Sequence, residues 1–247
     1  MVIVDGTFTF LNLLVAINLI MSKRNKLEKF ADLMGFPNVF QNFSPKEIKP
    51  IGKDGAQVEL KGCWAKRFGN DKPITVELAC GRGEYTIQLA RDYDDRNFIG
   101  VDVKGARIWK GAKMAITEGL DNVAFMRTKI EVIEEFFAPN EIAEIWITFA
   151  DPFIGKPNRR LTAPAFHDRY KNMLKEGGIV NMKIDDPTLY ESTKEVLAER
   201  NDVKILYDKD DIYSAPLDFP ELEYKTYYEK SHLEKGRKIK YMRWQYL

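Results

Sequence analysis

The chain has 247 residues, 45% of them hydrophobic, with 38 lysines and arginines against 37 aspartates and glutamates and a formal net charge of +1. That length and apolar content support one substantial core and exclude a wholly disordered chain. The charge balance excludes a uniformly basic nucleic-acid binder, so any such partner must be held by local clusters. Cys63 and Cys80 are too few for a disulfide framework and too far apart for a metal knuckle, and only His167 and His232 accompany them. No metal site is expected, and the thiols read as free in a reducing, cytoplasmic compartment.

The first feature in chain order is the apolar run TFTFLNLLVAINLIM, Thr7 to Met21. It is shorter than the roughly 18 residues expected of a spanning helix, holds Asn12 and Asn18, and lacks a preceding basic region. Residues 1–20 are therefore expected to be an extension with a misplaced start, MSKRNKLEKF from Met21 being the ordinary beginning; a genuine membrane anchor is the alternative. Residues 21–71 are polar, with scattered prolines and lysines and one short helical pattern, Lys26 to Met34, and read as an irregular arm.

From residue 72 a single domain is expected to run to the C-terminus, built on alternation. Strands are expected at Ile74–Ala79, Asn97–Val101, Val123–Arg127, Ile142–Phe149 and Gly178–Lys183. Helices are expected at Glu84–Arg91, Ala106–Gly119, Glu131–Phe137, Ala163–Leu174 and Pro187–Arg200. Short apolar strands separated by amphipathic helices give an α/β fold, a mostly parallel twisted sheet with helices on both faces. Strand Val203–Tyr207 and a last strand near Lys238–Trp244 have no long helix between them, so they are expected as an antiparallel pair at the sheet edge.

VELACGRGEY places Gly81 and Gly83 between the first strand and first helix of this domain, where a backbone without Cβ can turn tightly beside a ligand. Asp102 ends the next strand, where such sheets present a carboxylate to ribose hydroxyls. A dinucleotide would need a third glycine where Thr86 stands, and its pyrophosphate would meet Glu77 and Glu84. S-adenosylmethionine carries an ammonium and a sulfonium, for which Glu77 is an asset, and it is the expected cofactor. Farther on, an apolar strand stops at Asp151-Pro152 and enters a loop with Lys156, Arg159 and Arg160. Asp151 is either an acid facing the cleft at the strand mouth or a turn initiator.

VELACGRGEYTIQLA, NFIGVDVKGAR, EIWITFADPFIGKPNRRLT, VNMKIDD and TYYE stand in an order and spacing that resembles the bacterial tRNA (guanine-N7)-methyltransferase family, the TrmB type. The resemblance covers about Lys26 to the C-terminus and implies a Rossmann-like class I methyltransferase domain. It also implies methyl transfer from S-adenosylmethionine to N7 of the guanosine at position 46 in the tRNA variable loop. Carried over by residue, it implies cofactor binding by Glu77, Gly81, Gly83, Asp102 and the Lys129 position, and a catalytic acid in Asp151. Substrate contacts are implied for Lys156, Arg159, Arg160, Asp185, Thr226, Tyr228 and Glu229.

This chain departs from the family pattern at Ala79, where a glycine is usual, and at Lys129, where an acid usually faces the adenine. A cation cannot accept the adenine amino proton, so Thr128, Glu131 or a backbone carbonyl must replace that acid. The Asp-Pro loop is about two residues short and has Phe153 for the usual tryptophan, which makes Gly155 an equal candidate to Lys156. Asp185 could bind a guanine edge or cap the helix after it. Cations at Lys23, Arg24, Lys26 and Lys29, and at Lys235, Arg237, Lys238 and Lys240, form a nucleic-acid footprint if they flank the cleft. Tyr227, Tyr228 and Trp244 could stack on bases, but as edge-strand aromatics are expected in the core. A small-molecule methyltransferase and a non-catalytic RNA-binding relative are the competing readings.

Overall fold

The computed structural model describes residues 24–247; the apolar run at Thr7–Met21, and Lys23, lie outside the described residues. Helix α1 (Lys26–Gly35) starts at a reciprocal cap in which the Asn25 side chain accepts from the Glu28 amide at 3.0 Å and Glu28 accepts from the Asn25 amide at 2.8 Å. Strand β1 (Val39–Gln41) and helix α2 (Trp64–Phe68) follow. The alternating segment gives β2 (Ile74–Leu78), α3 (Glu84–Asp92), β3 (Asn97–Asp102), α4 (Gly105–Glu118), β4 (Val123–Arg127) and β5 (Ile142–Thr148). It continues with α5 (Pro164–Met173), β6 (Leu174–Ile184), α6 (Pro187–Ala198), β7 (Val203–Lys209), α7 (Tyr227–Glu234) and β8 (Lys240–Tyr246).

The eight strands form one sheet in the order β1-β4-β3-β2-β5-β6-β8-β7. β1 through β6 pair in parallel, and β8 lies antiparallel between β6 and β7. β2 and β3 are buried at every position, which is why they read as short, nearly continuous apolar runs. The chain moves outward from β2 through β3 and β4, then restarts on the other side of β2 with β5 and β6. That reversal opens a crevice at the carboxyl ends of β2 and β5, where α/β sheets bind their ligands.

Three expectations are corrected. The arm is less irregular than its composition suggests: β1 pairs with β4 in the register Val39↔Phe125 and closes the sheet edge. In α2, the fully buried Trp64 donates its indole N–H to the Phe136 carbonyl at 2.8 Å and stacks on Phe137. The segment expected as helix Glu131–Phe137 is a 3-10 turn, Ile130–Glu135, because Val132 leaves helical geometry at φ −119 and ψ 25. The T-x-Y-E stretch opens α7, with Thr226 as its N-cap, instead of lying in an edge strand; Tyr227 and Tyr228 are exposed while Trp244 is fully buried.

Candidate active site

The turn after β2 is built from left-handed backbone at Ala79 (φ 57), Gly81 (φ 57) and Gly83 (φ 68). A Cβ added at Gly83 would sit 2.4 Å from the Phe125 ring, so this position admits no side chain. A Cβ added at Gly81 would meet nothing nearer than the Ala79 carbonyl at 4.0 Å, and Gly81 lines the cavity. Ala79 accommodates its methyl at a backbone strain of about 1–2 kcal/mol.

Glu77 projects from β2 beneath this turn and is 2% exposed. Its Oε2 accepts the Thr86 amide at 2.9 Å and the Thr86 hydroxyl, and its Oε1 accepts the Thr148 hydroxyl. Burial lifts its carboxyl to about 7, against the pull of those hydrogen bonds. Asp102, at the end of β3, accepts the Gly81 amide at 2.9 Å on one oxygen and the Lys104 amide at 2.7 Å on the other. Its carboxyl is also raised by burial, opposed by the same two amides. Thus the acid expected at the ribose also locks the glycine turn.

Past β4, Lys129 is exposed and lines the cavity without supplying an acceptor on its side chain. Its neighbour Thr128 is 1% exposed, and its Oγ1 has no hydrogen-bond partner. Buried hydroxyls rarely stay unpaired without a reason. Thr128 is thus the neutral polar group nearest in sequence to the missing acid.

Beyond β5 the chain turns through two non-glycine residues at positive φ, Phe149 (φ 49) and Phe153 (φ 43), on either side of Asp151. Asp151 is exposed, and its Oδ1 accepts the Phe153 amide at 2.9 Å, so the acid at the cleft mouth is also the turn initiator. Arg159 lines the cavity with its guanidinium 4.7 Å from the centre of the Phe153 ring. Lys156 is exposed outside the cavity lining, on the residue before a 3-10 turn, Pro157–Arg159; Gly155 is likewise outside. Arg160 departs from its expected role at phosphate: it is only 9% exposed, and its Nε donates to the Pro152 carbonyl at 2.9 Å, bracing the loop from inside.

The end of β6 organises the opposite wall. Asp185, 8% exposed, holds Arg237 at 2.6 Å on Oδ2, and its carbonyl accepts Lys240 at 3.0 Å. His232 Nδ1 lies 3.3 Å from the same oxygen without hydrogen-bond geometry. The helix cap that Asp185 could have provided is made by Asp186, which accepts the Leu189 amide at 2.8 Å. Two residues back, the fully buried Lys183 donates to the carbonyls of Leu222 at 2.8 Å and Tyr224 at 3.0 Å. It also pairs with Glu229 Oε1 at 2.8 Å. Glu229 is therefore not at the guanine position expected of it: it is fully buried, takes a second hydrogen bond from the Tyr213 hydroxyl at 2.7 Å, and does not line the cavity. Burial pushes the Lys183 ammonium down while Glu229 holds it up. This buried pair fixes α7, whose Thr226 and Tyr228 do reach the cavity. Arg237, expected only as part of a basic footprint, lines the cavity and pairs with Asp185, and His232 lines it without any sequence signal; for Lys183 the signal is a lysine inside the apolar strand IVNMKI, which needs a buried partner.

Glu77, Gly81, Asp102, Lys129, Asp151, Arg159, Asp185, Thr226 and Tyr228 all line one cavity of about 560 Å³, within the size range of cofactor sites. Gly83, Lys156, Arg160 and Glu229 do not. A buried carboxylate under the turn, an acid on the ribose side and the unpaired Thr128 hydroxyl suit S-adenosylmethionine. The carboxylate of Glu77 opposes a pyrophosphate at the same turn. Among the described residues no cluster of histidine, cysteine, aspartate or glutamate could hold a metal ion, and no helix is long and apolar enough to cross a membrane.

A family model described as "Putative methyltransferase" matches residues 71–242. Over 227 residues the chain is 47% identical to the tRNA (guanine-N(7)-)-methyltransferase of Christiangramia forsetii, covering 90% of this chain and 98% of that protein. It is 44% identical over 221 residues to the protein of the same name from Bacteroides thetaiotaomicron, covering 89% of this chain and 85% of that one. A 30S ribosomal A1408 methyltransferase from an uncultured bacterium superposes with a TM-score of 0.56 at 14% identity, covering 78% of this chain and 97% of that one. The 16S rRNA methyltransferase KamB does so with a TM-score of 0.58 at 12% identity, covering 76% and 94%. At these identities the likeness is one of fold, the Rossmann-like arrangement of class I methyltransferases.

Proposed function

Because the chain belongs to the tRNA (guanine-N7)-methyltransferase family, we propose that it transfers a methyl group from S-adenosylmethionine to N7 of the guanosine at position 46 in the tRNA variable loop. The observation that carries this reading is the convergence of Glu77, Asp102 and Asp151 on one cavity whose other wall presents Thr226, Tyr228 and Asp185. S-adenosylmethionine supplies an electrophilic methyl on a sulfonium.

Guanine N7 is an sp² lone pair with no proton to remove, so no strong general base is needed. What this chain must do is position the acceptor, an effect worth up to about 7–11 kcal/mol in well-oriented reactions. Glu77 offers its charge to the donor's ammonium and Asp102 its free lone pairs to ribose hydroxyls. Methylation leaves the purine positively charged, and the exposed Asp151 carboxylate at the strand mouth stabilises that charge as it develops. Asp185 has an acceptor edge suited to guanine N1–H and the 2-amino group; Arg237 covers one of its oxygens in the free chain. Arg159 is placed to meet a phosphate beside the target nucleoside.

The test is methylation of an unmodified tRNA transcript by the purified full chain with tritiated cofactor, followed by nucleoside analysis. Label is expected in 7-methylguanosine and absent when position 46 is adenosine. Asp151→Ala should lower turnover at least about tenfold while tRNA retention on filters is largely kept. Equal turnover by the variant would remove Asp151 from the chemistry, and label in any other nucleoside would reject the assignment.

A further inference from the structure

Next to the main cavity lies a second groove of about 300 Å³, between α3, α4 and the start of α7, that shares Arg82 and Glu84 with it. It is lined by five cations, Arg82, Arg91, Lys110, Lys225 and Lys230, and by one acid, Glu84. Arg91 is already held by Glu118 at 2.6 and 2.8 Å. Glu84 divides its carboxylate between Lys110 at 3.2 Å and the Tyr227 amide at 2.8 Å, so its charge is used within the wall. Among the described residues, Arg82, Lys225 and Lys230 have no carboxylate partner, and all three are exposed. Two of them are steered by aromatic faces: Arg82 stands 5.0 Å from the Tyr227 ring centre and Lys225 4.9 Å from that of Tyr213.

Unpaired like charges lining one groove repel one another, and an anion relieves that repulsion. A nucleotide that puts its base into the main cavity carries a phosphodiester on each side. Arg159 lines the cavity, and the groove adjoins the cavity through Arg82 and Glu84. Tyr227, 56% exposed, offers a face to the adjoining ribose or base. We propose that this groove binds the RNA backbone on one side of the target guanosine, with Arg82, Lys225 and Lys230 as its phosphate contacts; this rests on the reading of the chain as a tRNA methyltransferase. It would explain how a chain of net charge +1 holds a polyanion: the contacts are concentrated beside the cavity instead of spread over the surface.

The test compares the full-length Lys225→Gln/Lys230→Gln variant with wild type and with a Lys175→Gln/Lys204→Gln control, whose lysines are exposed elsewhere. tRNA affinity is measured between 50 and 200 mM KCl, together with KM for tRNA and calorimetric cofactor affinity. The groove variant is expected to lose about 1.4–1.8 from the slope of log affinity against log salt, at roughly 0.7–0.9 per phosphate contact. Its KM for tRNA should rise at least about fivefold, with cofactor affinity unchanged, while the control keeps the wild-type slope. A groove variant with the wild-type slope, or a control that falls as far, overturns the groove while leaving the methyltransferase reading intact. A wild-type chain that methylates no tRNA overturns that reading, and the groove with it.

Discussion

Replacing Glu77 with glutamine keeps the shape of a nearly buried side chain in the cavity wall and removes its charge. Burial lifts the carboxyl from 4.5 to about 7, so the fold prefers the protonated form. The stability this group contributes is complete below about pH 4.5 and is lost as the pH rises to about 7. At pH 8 the ionised carboxylate costs the folded chain about 3 kcal/mol, and at pH 5 less than about 1 kcal/mol. Glutamine escapes that cost but holds its partners less well. Its oxygen can keep the Thr86 amide, and its NH₂ then faces the Thr148 hydroxyl, a rearrangement costing about 1 kcal/mol at any pH. Urea denaturation without cofactor should therefore show the stability of Glu77→Gln, relative to wild type, rising by about 2–3 kcal/mol between pH 5 and pH 8. Calorimetry should show S-adenosylmethionine binding weakened about 10–100-fold, the loss of one charge-assisted contact to an ammonium. A stability difference flat across pH would refute the buried ionisation, and unchanged cofactor affinity would refute the contact.

Two further substitutions probe the same cavity. Ala79→Gly removes about 1–2 kcal/mol of left-handed strain at φ 57 and adds about 0.4–1 kcal/mol of unfolded-state entropy. The net gain of up to about 1.6 kcal/mol should leave the melting temperature equal or up to about 6 °C higher, and a fall in calorimetry would contradict that backbone conformation. Thr128→Val deletes a buried hydroxyl without a partner. Stability should be equal or up to about 1 kcal/mol higher, while KM for the cofactor rises at least about threefold; a KM that does not move transfers the adenine contact to Glu131 or a backbone carbonyl.

The central sheet was legible because β2 and β3 are covered on both faces, so burial is written directly into runs such as ITVEL and NFIGVD. β1 was not, because three residues, VFQ, carry no periodicity and owe their extension to β4, far along the chain. α7 had a signal that its aromatic content obscured: Thr226 followed three residues later by Glu229 has the spacing of a helix start. Only half of that motif forms, Thr226 accepting the Glu229 amide at 3.2 Å, because the Glu229 carboxylate is drawn inward by Lys183. The same limit explains the site. Acids at strand ends were readable from position, since the sheet delivers strand ends to one crevice whatever the loops do. The inward turns of Arg160 and Glu229 were not readable, because a charged side chain is buried only where partners wait for it, and these came from the Pro152 carbonyl and from Lys183 on β6, far from Glu229 along the chain.

Lys183 has three ammonium protons and three acceptors, two carbonyls and one carboxylate, in a place water does not reach. A head group so fully subscribed has no idle rotamer, and the helix it tethers is set before any nucleic acid arrives. If the chain takes tRNA as proposed, adjustment during encounter would fall to the RNA loop more than to this helix. A loop already loosened in solution starts closer to its bound shape, so such an enzyme would select among transcripts by how willingly they deform.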